Sequence, residues 1–197
     1  MSDIGMRRCA GWQTLLAVVA LMLSMHSDAE TLMPSEIKAL VGMKLPPKVY
    51  GQEQARIPGY SEAGGRLLGL MQSKTPKARL AYSDGIFGEW PLLVVQAIYE
   101  DRSIEILDIH ILPADLINWR YVNGRFQWLD DRYDLTQCYQ QFKSGKIIVG
   151  LVRPESKPRK GMEGFSSRVK RAWEIDQRNG QITAISTKDV QCEIIGD

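Results

Sequence analysis

The sequence predicts a mainly β chain: an antiparallel meander of about nine or ten strands, forming a barrel or a two-layer sandwich, with a short N-terminal helix. Three observations carry this. From Ala78 onward, short runs rich in β-branched and aromatic residues recur at regular spacing with turn residues between them. Asn123-Gly124 separates two alternating runs, the strongest short-range hairpin signal, because both residues tolerate the positive φ of a type I′ turn. No internal repeat of solenoid or propeller length interrupts the pattern.

The hairpin over Asn118 to Leu129 is the best-specified element. A two-residue loop sets Val122 opposite Arg125, Tyr121 opposite Phe126, Arg120 opposite Gln127 and Trp119 opposite Trp128. All four aromatic side chains then emerge on one face. A two-stranded ribbon is marginal alone in water, so the rings are expected to point inward and pack on further strands. The sharper reading is an exposed platform on which a sugar ring, a peptide or a base stacks.

Residues 1–29 read as an export signal: Arg7 and Arg8 precede the apolar run Thr14 to Met25, and Ser27-Asp28-Ala29 supplies small residues before a cut at Glu30. The apolar run is shorter than the about 20 residues of a membrane-spanning helix. Cys9 lies before that run, where it cannot serve as a lipid-attachment site, so no stable membrane anchor is expected after cleavage. Cleavage removes as many acidic as basic residues and leaves the net charge at +2. That balance argues against nucleic acid as a partner. Cys138 and Cys192 are the cysteines left, and in an exported chain they most simply form one disulfide. Closing a loop of that length constrains the unfolded chain by roughly 4 kcal/mol.

Residues 30–77 read as a helix and an irregular lead-in packed on the β domain of residues 78–197. Pro34-Ser35-Glu36 opens the helix, Ile37, Leu40 and Val41 share its apolar face, and Gly42 ends it. Pro46, Pro47 and Pro58 mark the irregular stretch, and Gly64-Gly65 reads as a plain turn, since the Lys-Ser/Thr of a phosphate-binding loop is missing.

Leu80 to Ser83 forms a short strand, and Leu92 to Tyr99 and Ile104 to Leu112 form longer ones. A three-residue loop that keeps the apolar set together pairs Leu93, Val95 and Ala97 with Ile111, Ile109 and Leu107. Asp108 and His110 then share the other face, where a carboxylate can orient an imidazole for base catalysis. No nucleophile is marked beside them, so a structural histidine is the plain reading.

Further along, Asp130, Asp131 and Asp134 lack the spacing of a calcium loop, and no His/Cys set suits zinc, so no cofactor is expected. The hairpin through Lys143-Ser144-Gly145 is expected to set Cys138 opposite Gly150, leaving room beside the sulfur. The last hairpin, turning at Arg178-Asn179-Gly180, is expected to set Trp173 opposite Ile185 and Ile175 opposite Thr183, and a final short strand, Val190 to Ile195, carries Cys192 on the same side as Val190 and Ile194.

Arg153, Lys157, Arg159, Lys160 and Arg168, continued by Lys170 and Arg171, outnumber Glu155 and Glu163 in a Pro- and Gly-broken segment. They form the candidate binding residues for an anionic partner; the plain alternative is a solvated loop. The function these features suggest is that of an exported, non-enzymatic envelope binding protein, periplasmic or secreted, which contacts an envelope protein or an anionic envelope polymer. An inhibitor or immunity role belongs to that class. A carrier of a small apolar ligand inside a barrel and a hydrolase using Asp108 and His110 are the alternatives.

Overall fold

Two long alternating strands, β3 (Ala78–Phe87) and β4 (Trp90–Tyr99), form the centre of a five-stranded antiparallel sheet. In the computed structural model, residues 33–47, 56–71, 77–130, 132–140, 146–153 and 164–194 are described. Beside β4 lies β5 (Ile104–Ile111) with the two-residue β1 (Lys44–Leu45) outside it, and beside β3 lies β2 (Tyr60–Leu70), giving the order β1-β5-β4-β3-β2. The run Leu92-Leu93-Val94-Val95 is apolar on both sides because β4 is buried on both faces.

Among the described residues, strands β6 (Trp119–Val122) and β7 (Arg125–Trp128) pair only with each other. A second sheet of six strands follows: β8 (Asp134–Gln140), β9 (Ile147–Val152), β10 (Phe165–Ser166), β11 (Val169–Ile175), β12 (Ile182–Ile185) and β13 (Val190–Glu193), in the order β10-β13-β8-β9-β11-β12. Every strand pairing is antiparallel, and neither sheet closes on itself among the described residues.

Both sheets contribute to one core, with Leu80, Leu93 and Val95 from the first and Val149, Leu151 and Trp173 from the second. The other face of the first sheet buries Leu92, Val94 and Ile106 under Ile37, Leu40 and Leu45. Ile37 and Leu40 come from the short helix α1 (Ser35–Lys38) and the turn after it. Each such side chain contributes about 1.5–3 kcal/mol when fully buried. A positive φ lets Gly42 end this turn, and its N–H donates to the Ile106 carbonyl at 2.8 Å, fastening the lead-in to β5. No helix among the described residues is long and apolar enough to cross a membrane.

The Cys138–Cys192 disulfide is present on the far face of the second sheet, joining directly opposed residues of β8 and β13. Gly150 faces Thr136 rather than Cys138, since the β8–β9 register is displaced by two residues from the expected one. An even displacement keeps the same faces, and the space beside the sulfur is real: a Cβ on Gly150 would lie 2.8 Å from the Cys138 Sγ.

Other expectations are corrected. Residues 30–77, read as a helix and a lead-in to the β domain, contribute the long strand β2, and Gly64-Gly65 lies inside it beside a bulge between Glu62 and Gly64 instead of forming a turn. Gly65 permits close strand pairing, because a Cβ there would come within 2.7 Å of the Tyr82 carbonyl. The β4–β5 loop sits one residue earlier than expected: the Asp101 carboxylate accepts the Ser103 N–H at 2.8 Å, and Arg102 takes the positive-φ position. A bulge then shifts the ladder after Gln96/Ile106, so that Val95 faces Asp108 and Leu93 faces His110. In the last hairpin, the Asp176 N–H donates to the Gln181 carbonyl and encloses a four-residue loop. Trp173 therefore faces Ala184 and Ile175 faces Ile182.

Candidate functional site

The β6–β7 hairpin has the register its sequence dictates, with all four expected pairs present and Asn123 and Gly124 both at positive φ. Its rings are not all inward, which corrects the expectation of a wholly buried ladder. Trp119 is only 3% exposed, whereas its cross-strand partner Trp128 is 60% exposed and Tyr121 36%. Phe126 bridges the two environments. Its ring meets Trp119 edge-on at 5.1 Å and Tyr121 at 4.9 Å, and it packs against the shared core.

The buried end is held by a polar anchor. Trp119 Nε1 donates to Asp84 Oδ2 at 2.8 Å, and Asp84 projects from the same face of β3 as core residue Tyr82. Gly64 lies opposite Asp84, where even a Cβ would come within 3.2 Å of the carboxylate. Burial pushes the Asp84 carboxyl above its ordinary range, while the Trp119 N–H pulls it down. Burial and then the Asp84 charge push Tyr82 up to about 12.

Beyond β2, the hairpin tip meets the five-stranded sheet across a cleft of about 600 Å³. Tyr121, Gly124 and Phe126 line it from the hairpin, and Ser83, Gln96 and Ile98 line it from the sheet. Hydroxyl groups cluster here: Ser61 Oγ donates to Tyr121 Oη at 3.3 Å, and Tyr60 Oη lies 3.2 Å from Ser83 Oγ. Arg56 and Glu62 bring one charge of each sign. Burial and the nearby Asp84 charge raise the Glu62 carboxyl, with Arg56 opposing them. Tyr60 is held neutral, since burial drives its phenol far above the ordinary range.

The basic segment is placed only in part. Arg153 and Arg168 are neighbours: the Arg153 N–H donates to the Arg168 carbonyl at 3.2 Å, and Ser166 Oγ donates to the Arg153 carbonyl at 2.8 Å. The Arg153 guanidinium lies over the Tyr133 ring at 5.1 Å, with its Nε buried. Arg168 is exposed. Lys157, Arg159 and Lys160 lie outside the described residues.

Asp108 and His110 are turned toward the shared core by the β5 bulge, away from the face expected for them. Asp108 Oδ2 accepts the Ile182 N–H at 2.7 Å and Oδ1 accepts the Ile109 N–H at 2.8 Å, so this carboxylate ties β5 to β12. His110 rests against the Trp173 ring at 5.1 Å, and burial lowers its pKa against the opposing pull of the Asp108 charge. This geometry uses Asp108 to join the sheets and His110 to pack.

Sequence reasoning passed over Asp84, Tyr60 and Glu62. Ser83-Asp84-Gly85 has the composition of a turn and hides the second half of β3, while glycine-rich β2 lacks the β-branched residues that mark a strand. The usable signal was the indole itself: a buried Trp119 N–H needs an acceptor. No protein-family profile matches this chain, and no curated protein or solved structure is significantly similar to it.

Proposed function

We propose that the chain is an exported, non-enzymatic binding protein of a cell envelope, periplasmic or secreted, acting through a surface contact with an envelope protein or polymer, and that the β6–β7 hairpin lies at the centre of that contact. The observation that carries this is the 60% exposure of Trp128, directly opposite the buried Trp119. An indole on an anchored ribbon offers a large contact area at little cost in side-chain entropy, the property that makes tryptophan frequent among dominant interface residues.

The leader-like residues 1–29 and the Cys138–Cys192 disulfide support an oxidising destination. We read the two hydrogen-bonded sheets and their common core as a two-layer sandwich. Its interior is filled by side chains such as Leu93, Val149 and Trp173, and this favours surface contact over carriage of an apolar ligand inside.

The basic segment containing Arg153, Lys157, Arg159, Lys160 and Arg168 supplies a second contact, to an anionic group on the same partner. Capture from envelope extract, identified by mass spectrometry, tests the reading. Trp128→Ala is expected to abolish capture of the native partner, and the double substitution Arg159→Glu with Lys160→Glu to weaken it in a salt-dependent manner. Capture unchanged by all three substitutions would overturn the reading.

A further inference from the structure

Two features of the hairpin tip go together: a cleft rich in neutral hydrogen-bonding groups, and aromatic rings that line it and continue past it. Tyr60, Ser61, Ser83 and Tyr121 present hydroxyls, and Gln96 an amide, so both donors and acceptors converge on one space. Its volume of about 600 Å³ falls within the roughly 300–1,000 Å³ of small-ligand sites. Phe126 and Tyr121 meet at an interplanar angle of 57°, which gives the lining an angled aromatic surface.

Charge narrows the ligand. Arg56 and Glu62 offset one another, and no cluster of cations lines the cleft among the described residues. A phosphate or sulfate would find no matching set of charged donors there. A wholly apolar ligand would displace water from the Gln96 amide and from the hydrogen-bonding capacity that the Tyr60–Ser83 and Ser61–Tyr121 pairs leave unused, which is costly. A hydroxylated ring with one C–H face satisfies both kinds of lining: its hydroxyls meet the polar side chains, and its slightly positive C–H groups meet the negative face of an aromatic ring.

The hairpin also extends the site. Phe126 and Trp128 are two residues apart on β7, so they share a face at a spacing of about 7 Å. A chain leaving the cleft along the ribbon would meet Trp128 next. We infer that the cleft and Trp128 together form a binding site for a neutral oligosaccharide, with one sugar unit seated between Tyr121, Gln96 and Ser83 and a following unit stacked on Trp128. This rests on the surface-contact reading above and names the polymer that the hairpin recognises.

The test is isothermal titration of the full mature chain with cellotetraose, chitotetraose, maltotetraose and mannotetraose as neutral probes, and with a sulfated tetrasaccharide and tetraglycine as controls. Saturable binding of at least one neutral probe, in preference to both controls, is expected. Trp128→Ala and Tyr121→Ala should each weaken it about tenfold, the loss of an interaction worth about 1.4 kcal/mol. Tyr121→Phe keeps the ring and should lose less than Tyr121→Ala. Circular dichroism of each variant, unchanged from wild type, separates lost contacts from lost folding.

No binding of any neutral probe, or binding indifferent to both alanine variants, would overturn the inference. Capture of an envelope protein that Trp128→Ala abolishes, alongside no saccharide binding, removes the sugar and leaves the surface contact standing. Saccharide binding with extract capture untouched by Trp128→Ala and by the charge reversals would instead remove the broader reading.

Discussion

Trp119 and Trp128 are directly opposed in one ladder, on one face of one ribbon, yet the first is 3% exposed and the second 60%. Pleat and register fix which face a side chain occupies; what covers that face is decided elsewhere in the chain. Over Trp119 lie the shared core and the Asp84 carboxylate. Trp128 belongs to none of the buried clusters among the described residues. The same residue type therefore anchors the hairpin at one end of a cross-strand pair and offers a contact surface at the other.

The sharpest way to break this contrast is to shorten each ring in turn. Trp119→Ala should cost about 5 kcal/mol in chemical denaturation, because it opens a cavity and leaves the Asp84 carboxylate without its indole donor. A cost no larger than that of Trp128→Ala would contradict the anchoring role. Next in size is the staple on the far side of the molecule. Replacing Cys138 and Cys192 together by alanine should lower stability by roughly 4 kcal/mol while leaving the hairpin contact intact, measurable as unchanged partner capture at low temperature.

A smaller, pH-gated effect is expected at Asp84. Burial raises its folded pKa above the unfolded value, so the stability contributed by the neutral acid is present below about pH 4 and is lost as pH rises through the folded value. Asp84→Asn keeps an acceptor for Trp119 without the charge. It should raise Tm by about 2–4 °C at pH 7 and give no advantage at pH 3. An advantage that persists in acid would show that the carboxylate charge is not what burial opposes. Smallest of all, Trp128→Ala should change stability by less than about 0.5 kcal/mol.

The hairpin's register was legible in the sequence because Asn123-Gly124 permits a two-residue turn that fixes every pair after it. Elsewhere a local device intervened. Asp101 moved the β4–β5 loop by one residue, and a single bulge turned Asp108 and His110 to the other face, an event that hydrophobic alternation cannot announce. At the last hairpin, Gly180 has the positive φ of a turn glycine, yet the four-residue loop changed every pairing by one. The disulfide followed from cysteine number and the expected export.

The candidate site was half legible. Its aromatic rings were evident, whereas the lining from β2 and β3 is distant in sequence and disguised by glycine, so no local pattern could bring Ser61 or Ser83 to Tyr121. The basic segment shows the converse: composition drew attention to it, while Arg153 proves to be stacked on Tyr133 with its Nε buried.

Hydroxyl-radical footprinting of the folded protein, read tryptophan by tryptophan by mass spectrometry, tests the division within the hairpin most directly. Trp128 should be oxidised many times faster than Trp119, and its oxidation alone should slow when the envelope partner or a bound saccharide is added. Equal rates at the two positions, or a Trp128 that stays reactive in the complex, would contradict a ribbon anchored by one indole and working through the other.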